Sequence, residues 1–240
     1  MMSIKKEKEE KEEGTGRRHG GRYIYEELRR QILTLQLKYG EPLDEISLAT
    51  AFGLSRSPVR DAMARLVSEG LVTILPNRTA IVTPFEIEEF PNYITALDLV
   101  QRAVTRLAAL HRNEEDIRHI EAANEAYMEM VYKGDFSTMT ERNKEFHLAI
   151  AKAARNGYLA TYYDKLLSEG QRMQHLQFDF MTRQDAPSKL GRDHDDLIAA
   201  IKSGDAENAD KMAHEHTMLF QSRFLSFMQG NLLKDMALNY

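Results

Sequence analysis

The sequence predicts a mostly α protein, an N-terminal winged helix-turn-helix followed by an all-helical antiparallel bundle. Three observations carry that expectation. Between residues 22 and 84, apolar residues recur first at helical spacing and then in two short β-type runs. After Pro84 only helical periodicity remains. Gly, Pro and Asn-Gly punctuate those later helices at short intervals, as the connections of an antiparallel bundle require.

Residues 1–21 are a Lys/Glu run followed by Gly-Thr-Gly-Arg-Arg-His-Gly-Gly, too polar to offset ordering entropy, and are expected to be a disordered tail. Arg17, Arg18 and Arg22 could touch phosphates there; a solvated arm is the plainer reading. From Tyr23 the residues Leu28, Ile32 and Leu35 mark a helix that Tyr39-Gly40 stops. A second helix covers about Asp44 to Phe52, and Gly53 supplies a positive-φ turn. A third starts at Ser55 or Ser57, accommodates Pro58 in its first turn, buries Val59, Ala62, Met63 and Leu66, and ends at Gly70. The runs Leu71–Leu75 and Ala80–Thr83 then make a hairpin around Pro76-Asn77-Arg78-Thr79. Beyond it, helices are expected at Asn92–His111, Glu114–Tyr132, Phe136–Ala154, Tyr158–Phe180, Ser188–Ser203 and Ala206–Met228.

Composition excludes several classes of function. The 240 residues contain no Cys, which removes disulfide scaffolds, thiolate zinc sites, iron–sulfur clusters and cysteine nucleophiles. No apolar run is long enough to span a membrane, and the charged N-terminus is no secretory signal, so a cytoplasmic location is expected. Net charge is −5, unevenly placed: residues 84–240 carry 18 Lys/Arg against 25 Asp/Glu, whereas 22–83 carry 8 against 7. An acidic body thus follows a nearly neutral front segment, which permits a nucleic-acid module at the front.

A helix-turn-helix reads DNA by laying its second helix in the major groove, early residues toward base edges and phosphates. Arg56 and Arg60 are i and i+4 at the start of that helix, and Ser55 and Ser57 flank Arg56, suited to cap the helix or donate to phosphate. The segment Gly53-Leu54-Ser55-Arg56-Ser57-Pro58-Val59-Arg60-Asp61-Ala62, with Leu48-Ala49 and Glu69-Gly70-Leu71-Val72, resembles the DNA-binding domain of GntR-family bacterial transcription regulators. The resemblance implies that Ser55, Arg56, Ser57 and Arg60 contact DNA. This chain departs from the family in having Tyr39-Gly40 for Pro-Gly, Ile46 where some relatives carry a phosphate-binding Arg, and no Gly at the wing tip. Asn77 tolerates positive φ and is expected to preserve that turn, leaving Arg78 for the minor groove or a phosphate.

Of eight histidines, His19, His111, His119 and His175 have no partner by spacing. His147, His194 and His216 fall on apolar helix faces, whereas His214 points outward. Singly, an inward His is a satisfied core residue; three on three helices, with Asn143 one turn before the first, could instead surround Zn²⁺ or Ni²⁺. The sequences Asn143-Lys144-Glu145-Phe146-His147, Ala153-Ala154-Arg155-Asn156, Asp193-His194 with Ala200-Ile201, and Gly204-Asp205-Ala206 through His216 resemble the helical FCD domain of FadR-type GntR regulators. That resemblance implies a divalent metal on Asn143, His147, His194 and His216 beside an organic-acid effector, with Asn143 standing where the family has Asp. Ala96 stands where many relatives carry Arg, so Arg102, Arg106 and Arg172 are candidate anion-binding substitutes.

The expected organisation is therefore a tail at 1–21, a winged helix at 22–84, a linker at 85–91, an FCD-like effector-binding and dimerisation domain at 92–232, and a tail at 233–240. The expected function is transcription regulation and not catalysis: a homodimer on a palindromic DNA operator, its affinity set by a small effector. The rival is a metal-dependent hydrolase of the helical HD type, with His147, His194-Asp195 and Asp205 or Asp210 as ligands. A hydrolase leaves the winged helix unexplained. A third class, a DNA-binding structural protein, differs by lacking any effector response.

Overall fold

A computed structural model of the chain describes residues 20–84, 86–184 and 192–237. The expected tail thus lies mostly outside the described residues, as do Arg17, Arg18 and His19. The chain divides into two compact units, residues up to Phe85 and residues from Glu86 onward.

In the first unit, helix α1 covers 20–33 and buries Ile24, Leu28 and Ile32 one turn apart, with Leu33 beside them. It ends before the expected stop at Tyr39-Gly40: Leu35 has φ 56° and turns the chain out of the helix. The stretch that follows pairs with the hairpin instead. Gly40 N donates to Val82 O, Leu43 N donates to Ala80 O, and Pro42 forms a bridge with Ile81. Helix α2 (Glu45–Phe52) is capped by Asp44, which accepts from Ser47 N, and closes at Gly53 with φ 64°. Helix α3 (Arg56–Ser68) follows Ser55, whose backbone is extended but whose hydroxyl does not cap the helix. Pro58, Val59, Ala62, Met63 and Leu66 face inward, as their spacing requires.

Strands β1 (Val72–Ile74) and β2 (Ala80–Val82) are antiparallel, with Val72 opposite Val82 and Ile74 opposite Ala80. The wing turn differs from expectation. Arg78, not Asn77, takes the positive φ, at 66°. Asn77 contributes through its side chain, Oδ1 accepting from Thr79 N at 3.0 Å, a local bond typical of Asn in turns.

The second unit opens with a 3₁₀ turn at Ile87–Glu89 and helix α4 (Phe90–His111). Helices α5 (Glu114–Lys133), α6 (Phe136–Ala153), α7 (Gly157–Gln184), α8 (Arg192–Ser203) and α9 (Ala206–Ala237) follow. Helix α5 packs chiefly on α6, α4 on α9, and α6 on α7. Their shared core includes Val104, Ala108, Ile120, Phe146, Ile150, Leu197, Ile201 and Ala213. The ends are specified locally: Asn113 and Asp116 form a reciprocal capping box at α5, Gly134 closes it, and Asp135 starts α6. Helix α9 runs well beyond the expected Met228, because after the apolar pattern lapses only Gly230 weakens the helix. Residues 185–191, where α8 was expected to begin at Ser188, lie outside the described residues. Among the described residues no helix is long and apolar enough to cross a membrane.

Candidate nucleic-acid interface and metal centre

The start of α3 presents Ser55, Arg56, Ser57 and Arg60 on the surface of the first unit, and Arg78 is exposed at the wing tip. One residue that sequence reasoning missed ties the two helix arginines together. Glu45, in the first turn of α2, accepts from Arg60 Nε at 2.9 Å and from Arg56 Nη2 at 3.2 Å through one oxygen, Oε2. The Arg60 bond first, then Arg56, holds the Glu45 carboxyl below its ordinary range despite partial burial. Each guanidinium has five N–H donors, so the bond to Glu45 orients both side chains without exhausting their hydrogen-bonding capacity. Ile46 is 58% exposed and, being apolar, offers no such donor.

In the second unit the fold brings His147 of α6, His194 of α8 and His216 of α9 together. One ring nitrogen from each lies within 4.8 Å of the others. His147 and His194 are buried, and His194 stacks on Phe146 with ring centroids 4.1 Å apart. Burial first, then the neighbouring imidazoles, pushes His147 well below the ordinary histidine range and His194 down to about 3. Both rings are therefore neutral near pH 7, with lone pairs available. His194 and His216 each have a polar neighbour at Nδ1. His194 Nδ1 is 3.0 Å from Asn124 Oδ1, and Asn124 Nδ2 donates to Asp195 Oδ1 at 3.2 Å. His216 Nδ1 lies 2.6 Å from Asp193 Oδ2, an ion-pair distance without the alignment of a hydrogen bond. Burial pushes the Asp193 carboxyl up, but the His216 and His194 rings outweigh it and hold the group well below the usual carboxylate range.

A cavity of about 30 Å³ adjoins the histidines, with Asn143, His147 and His216 in its wall. Lys144 and Gln171 line it too. Lys144, the buried cation there, reaches Ser168 Oγ at 2.7 Å and Asp164 Oδ1 at 2.5 Å. Gln171 Nε2 donates to Glu141, which leaves its buried Oε1 without a partner. The three candidate arginines are not in the wall. Arg102 is held by Asp210 at 2.8 Å and Asp98 at 3.6 Å, and Arg106 by Glu207 at 2.6 Å, so both clamp α4 to α9. Arg172 is fully buried beside Glu169. Two of the four histidines expected to lack partners have them: His111 Nδ1 meets Ala154 O at 3.2 Å, and His175 Nε2 meets Thr140 Oγ1 at 2.9 Å. His214 is exposed and paired with Asp98.

The carboxylates an HD-type hydrolase would need are engaged elsewhere. Asp195 bonds Asn124, Asp210 bonds Arg102, and Asp205 caps α9 through Asn208 N.

A winged helix with an arginine pair at the mouth of its second helix, joined to a helical domain that encloses three histidines, defines a DNA-binding regulator. Comparison with known proteins agrees. Residues 21–82 match bacterial regulatory proteins of the gntR family, and residues 94–218 match the FCD domain. The chain belongs to the GntR family of bacterial transcription regulators, in the branch that carries an FCD domain. It is similar to the HTH-type transcriptional repressor RspR of Escherichia coli, 25% identical over 208 residues that cover 87% of this chain and 90% of that one. It is also similar to the HTH-type transcriptional regulator LutR of Bacillus subtilis, 26% identical over 222 residues, covering 82% and 97%. Among solved structures, E. coli McbR/YncC shares the fold with a TM-score of 0.70 at 21% identity, covering 88% of this chain and 98% of that one.

Proposed function

We propose that this chain is an effector-responsive transcription regulator whose helical domain holds a divalent metal, zinc or nickel, on His147, His194 and His216 with Asn143 beside them. The observation that carries this is the convergence of three imidazoles, two of them buried and neutral, with His147 and His216 lining a partly open cavity. Ring nitrogens from three helices within 4.8 Å of one another can share one cation, and a neutral imidazole brings the lone pair it needs, so the residues fit the ion. An amide at Asn143 brings no charge, so a bound ion would keep more of its own charge for an anionic effector, which it would polarise and hold.

The effector inferred beside the metal is a small organic acid carrying hydroxyl groups; the cavity of about 30 Å³ holds only a water or two, so binding must widen it. Its anionic group would face the metal, and its hydroxyls would donate to acceptors such as Gln171 Oε1. Ser55, Arg56, Ser57, Arg60 and Arg78 would contact the operator, and a homodimer would place two winged helices on the half-sites of a palindrome, in the cytoplasm. Effector binding must favour one arrangement of those winged helices over another to change operator affinity.

Elemental analysis of chain purified without chelator or affinity metal, beside His147→Ala and His216→Ala, tests the metal. Near-stoichiometric zinc or nickel that disappears in both folded variants supports the site. Metal-free parent protein would sink it and leave a regulator resting on the winged helix.

A further inference from the structure

A neutral imidazole carries one proton on one of two nitrogens, and only the bare nitrogen can hold a metal. Which one is bare at His194 is decided two residues away. His194 Nδ1 faces Asn124 Oδ1 at 3.0 Å, but an amide seen alone could be turned round, since its oxygen and nitrogen have nearly the same outline. The other end of the amide removes that freedom. Asn124 Nδ2 lies 3.2 Å from Asp195 Oδ1, and a carboxylate only accepts, so the nitrogen must be on that side. The amide oxygen then faces His194. A carbonyl oxygen also only accepts, so Nδ1 must carry the proton, and Nε2 is left with its lone pair.

We infer that Asp195 and Asn124 are positioning residues that fix the His194 tautomer, so that Nε2 is offered to a divalent cation shared with His147 and His216. This rests on the metal reading of the site. The placement of both residues agrees with it. Asn124 sits on the buried stripe of α5 with Ile117, Ile120, Tyr127 and Val131, where an apolar side chain would pack without needing a partner. An amide at that position is explained by the two bonds it makes. Asp195 is exposed, follows His194 directly on α8, and reaches the amide from outside. Partners of this kind orient a histidine and raise its basicity, and losing one commonly costs 10–100-fold in metal affinity.

The test uses the full chain. In metal-free protein, proton–nitrogen correlation spectra of the imidazoles report the tautomer directly, and His194 should carry its proton on Nδ1. Asp195→Asn lets the amide turn round, because an asparagine can donate to it; His194 should then shift its proton to Nε2, and zinc affinity, read by competition with a chromophoric chelator, should fall about 10–100-fold. Asp195→Glu should restore both readouts. Asn124→Leu should weaken zinc similarly, and the exposed Asp195 variants carry the test if that core variant does not fold. An Nε2-protonated His194 in the metal-free parent would overturn the inference, as would unchanged tautomer and affinity in Asp195→Asn. A parent with the expected tautomer that takes up no zinc or nickel would remove the metal reading and the inference together.

Discussion

Acid should destabilise the helical unit in a window set by its buried histidines. His194 takes up a proton near its ordinary value of 6.5 when unfolded, but only near about 3 in the folded chain. Below pH 6.5 the unfolded chain therefore binds a proton that the folded chain refuses, so stability falls as pH falls. Between pH 7.5 and pH 5 this one residue costs about 2 kcal/mol at 1.36 kcal/mol per unit. His147 is pushed the same way, and His175, also held down by burial, adds to it. Asp193 does not contribute in this window. Its folded value is depressed, so its contribution is lost only below the unfolded value of 3.8. The assay is urea unfolding of chelator-treated chain at several pH values, followed by circular dichroism, with the transition of the helical unit taken separately. His194→Gln, which cannot take up the proton, should flatten the fall by about 2 kcal/mol. Equal stability at pH 7.5 and 5, or an equal fall in parent and variant, would refute the reasoning.

Four further outcomes are expected. Arg56→Ala should weaken binding to a selected operator fragment by about 1–3 kcal/mol, measured by fluorescence anisotropy at fixed salt, while the helical unit melts unchanged. Arg102→Ala and Arg106→Ala should each leave the urea midpoint of the helical unit nearly unchanged and zinc affinity within about twofold, since their solvent-screened ion pairs join α4 to α9 away from the cavity. Asp193→Asn should reduce zinc affinity, and a chelator competition showing none would detach Asp193 from the site. Gly204→Ala should destabilise the helical unit by about 1–2 kcal/mol in urea, because φ is +77° and an added Cβ would lie 2.5 Å from Arg112 Nη2.

The elements that carry local signals were legible in the sequence. Gly53, Pro58, Gly70 and the apolar stripe of α3 place the helix-turn-helix. The three histidines were legible because burial follows the helical period. What was missed depends on contacts distant in sequence. Glu45 meets Arg60 fifteen residues on, and Asn124 meets His194 seventy residues on. Asn124 did leave a signal, as the one amide on an apolar stripe, but its meaning needed α8 beside it. Arg102 and Arg106 misled because spacing gives a face and not a partner; the acids of α9 took them. The early end of α1 followed from strand pairing by residues 40–43, which helical periodicity cannot register.

If Arg78 contacts DNA as proposed, the wing tip sets two selective pressures against each other. A left-handed backbone at Arg78 costs about 1–2 kcal/mol more than the same turn built on glycine, so Arg78→Gly should make the first unit more stable. It would also remove the cation that the hairpin holds out from the surface. Variants of this chain sorted for resistance to heat should accumulate glycine at 78, and variants sorted for occupancy of an operator should keep arginine there.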